Sequence, residues 1–382
     1  MKRVLGLLIV LVLLVVAGAG TATTSAQDET LRITLVINGV LGDKSFFDSA
    51  QRGMDRLLDD GYNIEVNTIE LGIDPVNWES GLSDAMLDSD NYDVLIVGTY
   101  QMGEFLATRA HLYPDKYFIF YDNTVPYDDP EFCVEGCTNV YSVTYKQNEG
   151  SFLAGVYAGA MTISDVEGFN ADSVIGTVGG QDIPVINDFI VGYEQGACLA
   201  NPEVETLVQY AGGWNDPAKG KEIALAMFEQ KADIVFQVAG GTGAGVFEAA
   251  QEQGHYALGV DSDQATIIEE TDAEQAARIL TSMLKNVDNS LYRAVDMHIE
   301  GTLPYGEAEA LGIAEGGVGL AFNDIYYDSS PENVLDLVDA VMDAVEMGEI
   351  TINSAIGDDA VSVGVSCDEM PETEFDAAMY LE

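Results

Sequence analysis

The chain has 382 residues, of which 47% are hydrophobic, so it is long enough to form about two globular domains. Its 65 acidic side chains against 15 basic ones give a formal net charge of −50. A field of that sign repels phosphate backbones and anionic headgroups, which disfavours nucleic acid and lipid surfaces as partners. The acids are dispersed along the chain, a distribution typical of a solvated surface.

The N-terminus has the pattern of an export signal. Lys2 and Arg3 precede an apolar run over residues 4–16, and small residues follow up to Ala26. This order predicts a signal peptide over residues 1–26. The alternative is a retained anchor, although the run is shorter than the roughly 20 residues that span a bilayer. The signal leads us to expect an exported protein, periplasmic or extracellular and associated with the cell surface. No cysteine follows the signal to accept a lipid.

The first strand, over residues 31–37, leads into Asn38 and the turn Gly42–Phe47 ahead of a predicted helix over 49–59. Asp43 and Ser45 in this turn suit a helix cap. The two adjacent aromatics, Phe46 and Phe47, equally suit a ligand-facing edge, and the sequence does not decide between these interpretations.

Strands and helices alternate through most of the remaining chain. Further strands are predicted over residues 64–71, 94–98, 117–121, 139–145, 174–178, 207–210, 234–238 and 256–260, the fourth strand ending in Asp122. Helices are predicted over residues 78–88, 102–111, 149–161, 185–199 and 217–230. This alternation predicts an α/β fold with parallel, doubly wound sheets. The helix at 149–161 is rich in glycine and alanine, which indicates close packing against another backbone.

The stretch from Asp233 to Asp263 has the pattern of a βαβ unit. A glycine turn that includes Gly241 joins its first strand to its helix, which contains Phe247. Asp261 ends its second strand. In open α/β sheets, ligands bind at this carboxyl edge, so we expect the turn, Phe247 and Asp261 to face a ligand.

Beyond Asp263 the sequence predicts a long helix over about 273–299 that contains Lys285, a short strand over 318–322 and an amphipathic helix over 331–347. The repeated α/β pattern predicts two lobes. We assign residues 30–145 with about 264–318 to the N-terminal lobe, and residues 146–263 with about 319–382 to the C-terminal lobe. Ligands of such proteins lie in the cleft between the lobes.

Four cysteines in an exported chain favour disulfides. The sequence does not fix their connectivity, and the simplest pairing joins Cys133 to Cys137 and Cys198 to Cys367. A metal site at the C-x3-C pair is the alternative. It lacks further ligands, because the three histidines are single and scattered.

Motifs for catalysis or nucleotide binding are absent or incomplete. The glycines from Gly241 to Gly245 do not have the spacing of a dinucleotide fingerprint, and Gly220-Lys221 is followed by Glu222 where a phosphate loop needs Ser or Thr. The sequence contains no G-x-S-x-G or H-E-x-x-H motif.

Seven ordered blocks resemble the BMP family of ABC-transporter substrate-binding proteins, which includes bacterial purine nucleoside receptors. They are GDKSFFDSA at Gly42, NEGSFLAGVYAG at Asn148, VGGQDIPVINDFIVGY at Val178, NDPAKGKEIA at Asn215, FQVAGGTGAGVFEAA at Phe236, GVDSDQ at Gly259 and TSMLKNVD at Thr281. The resemblance covers the chain from the end of the signal to about residue 325. It implies a type I periplasmic-binding-protein fold, with two Rossmann-like lobes and a three-crossover hinge that close over a nucleoside.

The resemblance also implies roles for individual residues. Phe46 would stack on one face of the base and Phe247 on the other, while Asp261 and Lys285 would hold the ribose hydroxyls. Five further positions complete the predicted ligand-binding set: Asn38, Asp43, Ser45, Asp122 and Gly241. Two departures leave base specificity open, because Phe47 replaces the family's Asn and the region of Asn38 lacks the Asp that nucleoside receptors tend to carry.

We therefore expect an exported, monomeric receptor without enzymatic activity or cofactor. It would capture a nucleoside, with a purine favoured, and deliver it to an ABC permease. Two alternatives stay open at this point. One is an exported enzyme that acts on nucleosides with Asp261 or Asp43 as general acid or base, and the other is a ligand sensor that signals to a membrane partner.

Overall fold

The structure is a computed structural model that describes residues 30–170, 172–364, 366–371 and 373–381. The predicted signal peptide lies outside these residues. The described chain forms two α/β lobes, each built on a six-stranded sheet. This architecture confirms the doubly wound, two-lobed prediction.

The sheet of the first lobe is parallel throughout, with the strand order β11-β5-β4-β3-β1-β2. Its strands are β1 (Leu31–Ile37), β2 (Ile64–Glu70), β3 (Val94–Gly98), β4 (Tyr117–Tyr121), β5 (Val140–Tyr145) and β11 (Ala308–Leu311). The helices from its part of the chain are α1 (Phe46–Asp59), α2 (Trp78–Leu87), α3 (Gly103–Ala110) and α10 (Val287–Glu300).

The second sheet has the order β12-β10-β9-β8-β6-β7, and only β12 runs antiparallel to its neighbour. Its strands are β6 (Val174–Gly179), β7 (Glu205–Tyr210), β8 (Ala232–Val238), β9 (Tyr256–Asp261), β10 (Ile279–Lys285) and β12 (Val318–Leu320). The remaining helices are α4 (Gln147–Thr162), α5 (Pro184–Ala200), α6 (Pro217–Glu229), α7 (Ala244–Gln253), α8 (Gln264–Glu269), α9 (Ala273–Ala276), α11 (Asp324–Ser329), α12 (Glu332–Glu346) and α13 (Ala378–Leu381).

Burial explains why these strands have continuous apolar runs. Every residue of the inner strands β3 and β8 is buried, because helices cover both faces of a parallel sheet. The edge strands β2 and β7 are instead made almost wholly of exposed and half-buried residues. Each lobe therefore has a well-covered sheet whose carboxyl edge is free to carry a site.

The prediction of one long helix over about 273–299 is wrong, and residues 264–300 contain four separate elements. They form α8, α9, the buried strand β10 and only then helix α10. A short apolar run is compatible with either a strand or a buried helix, and pairing of β10 with β9 and β12 selects the strand. The expected placement of residues 264–285 in the first lobe is therefore wrong, because β10 belongs to the second sheet.

The chain passes between the lobes three times. The connections run from β5 to α4, from β10 to α10 and from β11 to β12. Helix α10 returns to the first lobe, where Asp296 accepts a hydrogen bond of 2.7 Å from the hydroxyl of Tyr62 on the turn after α1. Short segments thus form the only covalent links across the cleft within the described residues.

Helices α4 and α5 pack at backbone distance, as the small residues of α4 predict. A Cβ at Gly155 would lie 2.0 Å from the carbonyl oxygen of Tyr193, and one at Gly196 would lie 2.0 Å from that of Phe152. Glycine is needed at these points of closest approach. The described residues contain no helix that is both long and apolar enough to cross a membrane.

Both predicted disulfides are present. Cys133 pairs with Cys137 in the loop before β5, and Cys198 near the end of α5 pairs with Cys367 in the C-terminal segment. The second bridge closes a loop of 169 residues and fixes the C-terminal segment against the second lobe.

Candidate ligand-binding site

A cavity of about 620 Å³ lies between the carboxyl edges of the two sheets, where open α/β folds bind their ligands. Its volume is within the range of about 300–1,000 Å³ typical of small-molecule sites. Seven of the nine predicted site residues line it, namely Asn38, Asp43, Phe46, Asp122, Gly241, Asp261 and Lys285. Ser45 and Phe247 do not contribute to its wall.

The sequence left open whether the turn that contains Asp43 caps a helix or faces a ligand, and Asp43 does both. Its carboxylate accepts hydrogen bonds from the backbone N–H groups of Ser45, Phe47 and Asp48 at 3.0, 2.9 and 3.2 Å, so it caps helix α1. The same side chain also forms part of the cavity wall. Burial raises the pKa of Asp43, although the N–H groups oppose that shift.

Asp261 ends strand β9 in a left-handed backbone conformation with φ of +65°. One carboxylate oxygen accepts a hydrogen bond from the hydroxyl of Ser45 in the opposite lobe. Burial raises the pKa of Asp261 to about 6, while the charge of Lys285 and the Ser45 hydroxyl act to lower it. Ser45 therefore positions Asp261 from behind the wall, which corrects its expected place in the cavity.

Lys285 is the only cationic residue among the described residues that line the cavity, and it is almost completely buried. Its Nζ forms an ion pair with Asp122 across the cleft. The same nitrogen lies 4.8 Å from the ring centre of Phe189 and 5.8 Å from that of Phe46. Lys285 reaches this position because it ends strand β10, a place that the predicted long helix would not have given it.

Asn38 is buried where strand β1 ends. Its Nδ2 donates a hydrogen bond of 2.8 Å to the hydroxyl of Thr99. Its Oδ1 is buried without a hydrogen-bond partner. An unpaired buried carbonyl carries a desolvation cost of about 1–3 kcal/mol, which a donor on a ligand would remove.

The predicted position of Phe247 in the cleft is wrong. The side chain is 1% exposed and packs in the core of the second lobe with Val246, Ala249 and Ala250. A 3-10 turn over Gly240–Gly243 precedes α7, so the helix begins only at Ala244. By Phe247 the helix has turned its apolar face towards the sheet.

Other aromatic side chains line the cavity in its place. Phe189 and Trp214 belong to the second lobe, and Phe47 and Tyr100 to the first. Trp214 could have been predicted from the sequence, because it follows β7 at the same carboxyl edge as the glycine turn. Phe189 lies within helix α5, and no local pattern separates it from an ordinary core residue.

The cavity carries an excess of negative charge. Three carboxylates, those of Asp43, Asp122 and Asp261, face a single ammonium group, that of Lys285. Such a site suits a neutral ligand with hydroxyl or amine donors and repels a phosphate group. Across the described residues, no group of three or more His, Cys, Asp or Glu side chains is arranged to hold a metal ion.

Comparison with known proteins agrees with this geometry. Residues 30–350 match the Bmp family model, described as ABC transporter substrate-binding protein PnrA-like. The chain belongs to the Bmp family. It is an ABC transporter substrate-binding protein, which confirms the resemblance inferred from the seven sequence blocks.

Two curated Bmp relatives show how far the similarity extends. The ABC transporter nucleoside-binding protein BmpA of Lactococcus lactis subsp. cremoris is 27% identical over 352 residues, which cover 88% of this chain and 92% of BmpA. Basic membrane protein D of Borreliella burgdorferi is 28% identical over 310 residues, which cover 80% of this chain and 83% of that protein. Each of these two relatives therefore matches four fifths or more of this chain.

Solved structures confirm the fold of this Bmp protein. An ABC transporter solute-binding protein from Aeropyrum pernix K1 superposes with a TM-score of 0.72 at 26% identity and covers 86% of this chain and 95% of its own. A periplasmic solute-binding protein from Actinobacillus succinogenes with bound D-allose has a TM-score of 0.58 at 12% identity and covers 78% and 99%. The fold is the type I periplasmic-binding fold, and both of these solved structures are ABC-transporter solute-binding proteins.

Proposed function

We propose that this protein is an exported receptor that captures a neutral nucleoside between its lobes and delivers it to an ABC permease. The observation that carries the proposal is the composition of the cavity wall. Phe46 supplies an aromatic face from the first lobe, while Asp261 and Lys285 supply buried polar groups from the second. The name of the BmpA relative, a nucleoside-binding protein, supports the same ligand class.

The two kinds of group match the two halves of a nucleoside. A planar base stacks on aromatic rings, at about 1–3 kcal/mol for each stacked base. Ribose hydroxyls donate to the carboxylate of Asp261 and accept from the ammonium of Lys285. Together these contacts supply a large part of the roughly 8 kcal/mol that corresponds to a micromolar complex.

The charge balance of the wall selects nucleosides over nucleotides. With three carboxylates around one ammonium, a 5′-phosphate would enter a region that already carries excess negative charge. We therefore expect nucleosides to bind and their monophosphates to bind much more weakly. A purine base stacks over a larger area than a pyrimidine, which favours purine nucleosides.

Calorimetric titration with a panel of nucleosides, the corresponding monophosphates and simple sugars tests the proposal. We expect heat from at least one nucleoside, and at least tenfold weaker binding of its monophosphate. Absence of heat and of a thermal shift with every nucleoside overturns the ligand assignment. Tight binding of a monophosphate overturns the charge argument alone.

An enzyme that cleaves nucleosides is the second candidate, because a carboxyl with a pKa of about 6 is suited to general acid or base catalysis near neutral pH. In this structure Asp261 already accepts a hydrogen bond from Ser45. Incubation with adenosine or inosine followed by chromatography separates the two functions. A receptor returns the nucleoside intact, whereas free base in the wild-type protein but not in Asp261→Asn establishes the enzyme.

A further inference from the structure

The cavity changes in character from its depth to its mouth. The polar side chains Asn38, Asp261 and Lys285 are 5%, 8% and 2% exposed, so they lie deep. The apolar Ile73 is 55% exposed and belongs to the same wall, so it lies at the opening, where Tyr100 is 41% exposed. A bound ligand therefore meets polar groups at its inner end and apolar surface at its outer end.

The mouth combines apolar side chains from both lobes. The first lobe contributes Val40 and Ile73, and the second contributes Ile183 and Trp214. The rim therefore offers exposed or half-buried apolar side chains from both lobes, the kind of surface that lines small-molecule sites.

The aromatic rings of the mouth are held in place. A Cβ at Gly180 would lie 2.1 Å from Cζ3 of Trp214, so the indole lies directly against the backbone of that glycine. Trp78, a buried residue of the same cavity wall, donates a hydrogen bond of 2.8 Å from Nε1 to the carbonyl oxygen of Gly72, next to Ile73. Rings fixed in this way lose little entropy when a ligand packs against them.

The space at the mouth is not a gap left by separated lobes. The Tyr100 hydroxyl in the first lobe donates a hydrogen bond of 3.3 Å to Oε1 of Gln181 in the second. Deeper in the cleft, Nε2 of Gln264 donates to the carbonyl oxygen of Lys44 at 3.2 Å. The cavity holds about 620 Å³ even with the lobes in contact, so the apolar outer part is available to a ligand.

We propose that the mouth is a second subsite, which binds an apolar or aromatic substituent carried by the nucleoside. The inference rests on the proposed function and extends it to the ligand class. The sugar lies against Asp261 and Lys285 at depth, and the substituted edge of the base points outwards between Ile73 and Trp214. The preferred ligand is thus a nucleoside enlarged by about one ring on an exocyclic nitrogen.

Calorimetry with matched ligand pairs tests this subsite. Adenosine is compared with N6-benzyladenosine, and guanosine with N2-benzylguanosine, on the wild-type protein. Burial of one further ring predicts about tenfold or greater tightening for the benzyl member of the pair that binds. Equal or weaker binding of both benzyl compounds, when a parent nucleoside binds, overturns the subsite and leaves the proposed function intact. Absence of binding by all four overturns the subsite, and the proposed function fails with it only if the remaining nucleosides of the panel do not bind either.

Two matched variants show whether the mouth contacts the substituent or only closes the cleft. Ile73→Ser removes an exposed side chain at the mouth, and Ile163→Ser removes one of similar exposure outside the cavity. We expect Ile73→Ser to weaken the benzyl ligand about threefold to tenfold and the parent nucleoside by less than about twofold. Ile163→Ser should change neither. If Ile73→Ser weakens the binding of the parent nucleoside and of the benzyl ligand equally, Ile73 acts in lobe closure and does not contact the substituent. This result overturns the subsite.

Discussion

Two turns at the carboxyl edges of the sheets share one sequence pattern, but the phenylalanine that follows lines the cavity in one lobe and is buried in the core in the other. Each follows a strand, contains glycine and leads into a helix that carries a phenylalanine. In the first lobe α1 begins at Phe46 itself, and that ring lines the cavity. In the second lobe a 3-10 turn delays α7, and Phe247 is buried against the sheet. The position of the helix start relative to the aromatic thus decides whether the ring meets ligand or core.

The largest effect is expected for Phe247, the phenylalanine of the two that lies in the core. Phe247→Ala removes a fully buried ring and should reduce the free energy of unfolding by about 3–5 kcal/mol, as large core truncations do. Urea denaturation followed by circular dichroism measures this loss. Because Phe247 does not line the cavity, nucleoside affinity at low temperature should stay within about twofold of wild type. A large loss of nucleoside affinity in folded Phe247→Ala would contradict this assignment and show that Phe247 contributes to the binding site.

Phe46→Ala should show the reverse pattern. Loss of the stacking face should weaken nucleoside binding by about 1–3 kcal/mol, measured by titration calorimetry. The ring is only partly buried, so the loss of unfolding free energy should be smaller than that of Phe247→Ala. Unchanged affinity together with marked destabilisation would make Phe46 a core residue and remove the aromatic face from the proposal.

The next effect concerns the charge of Asp261. Its pKa of about 6 means that the folded protein holds a proton on this carboxyl up to a higher pH than the unfolded chain does. The group therefore reduces stability as pH rises through the range between the two pKa values. Binding has the opposite trend, because ribose hydroxyls donate best to the ionised form. The charged groups that face Asp261 are Lys285, which acts to lower its pKa, and Asp43 and Asp122, which act to raise it.

We therefore expect nucleoside affinity to fall about tenfold between pH 7 and pH 5, since below the pKa each pH unit costs about 1.4 kcal/mol. Titrations at several pH values measure the profile. Asp261→Asn should bind more weakly at pH 7 and show a flat profile. An unchanged slope in that variant would assign the pH dependence to another group.

The smallest effect belongs to Ser45, which supports Asp261 without entering the cavity. Ser45→Ala removes the hydroxyl that favours the ionised carboxylate, so the pKa of Asp261 should rise and the midpoint of the affinity profile should move to higher pH. The affinity at neutral pH should fall by about 0.5–1.5 kcal/mol, the value of one hydrogen bond. A loss of affinity with no change in midpoint would place Ser45 in direct contact with the ligand.

The fold was accessible from the sequence because strands and helices alternate with clear spacing. Strand β10 could not be predicted in the same way, since its short apolar run fits a buried helix equally well. Only its pairing with β9 and β12 identifies it as a strand. Six of the seven cavity residues end a strand or occupy a turn at a carboxyl edge in the predicted pattern, whereas Lys285 was placed in a helix and its role came only from the family resemblance. Phe247 failed because one extra turn before α7 rotates the helix, and sequence does not reveal such a turn.

The second lobe's own aromatic contributions, Phe189 and Trp214, depended on tertiary structure in different ways. Trp214 follows an edge strand whose neighbours decide which loops meet across the cleft. Phe189 lies on α5, whose close packing against α4 sets the face that it turns to Lys285. Both placements result from contacts between distant parts of the chain.

A crystal structure of the protein with the nucleoside that binds most tightly in calorimetry tests the central claim most directly. We expect the base to lie against the ring of Phe46, the ribose hydroxyls to contact Asp261 and Lys285, and Phe247 to lie away from the ligand. A nucleoside bound outside the interlobe cavity, or one whose base makes no contact with Phe46, would contradict it.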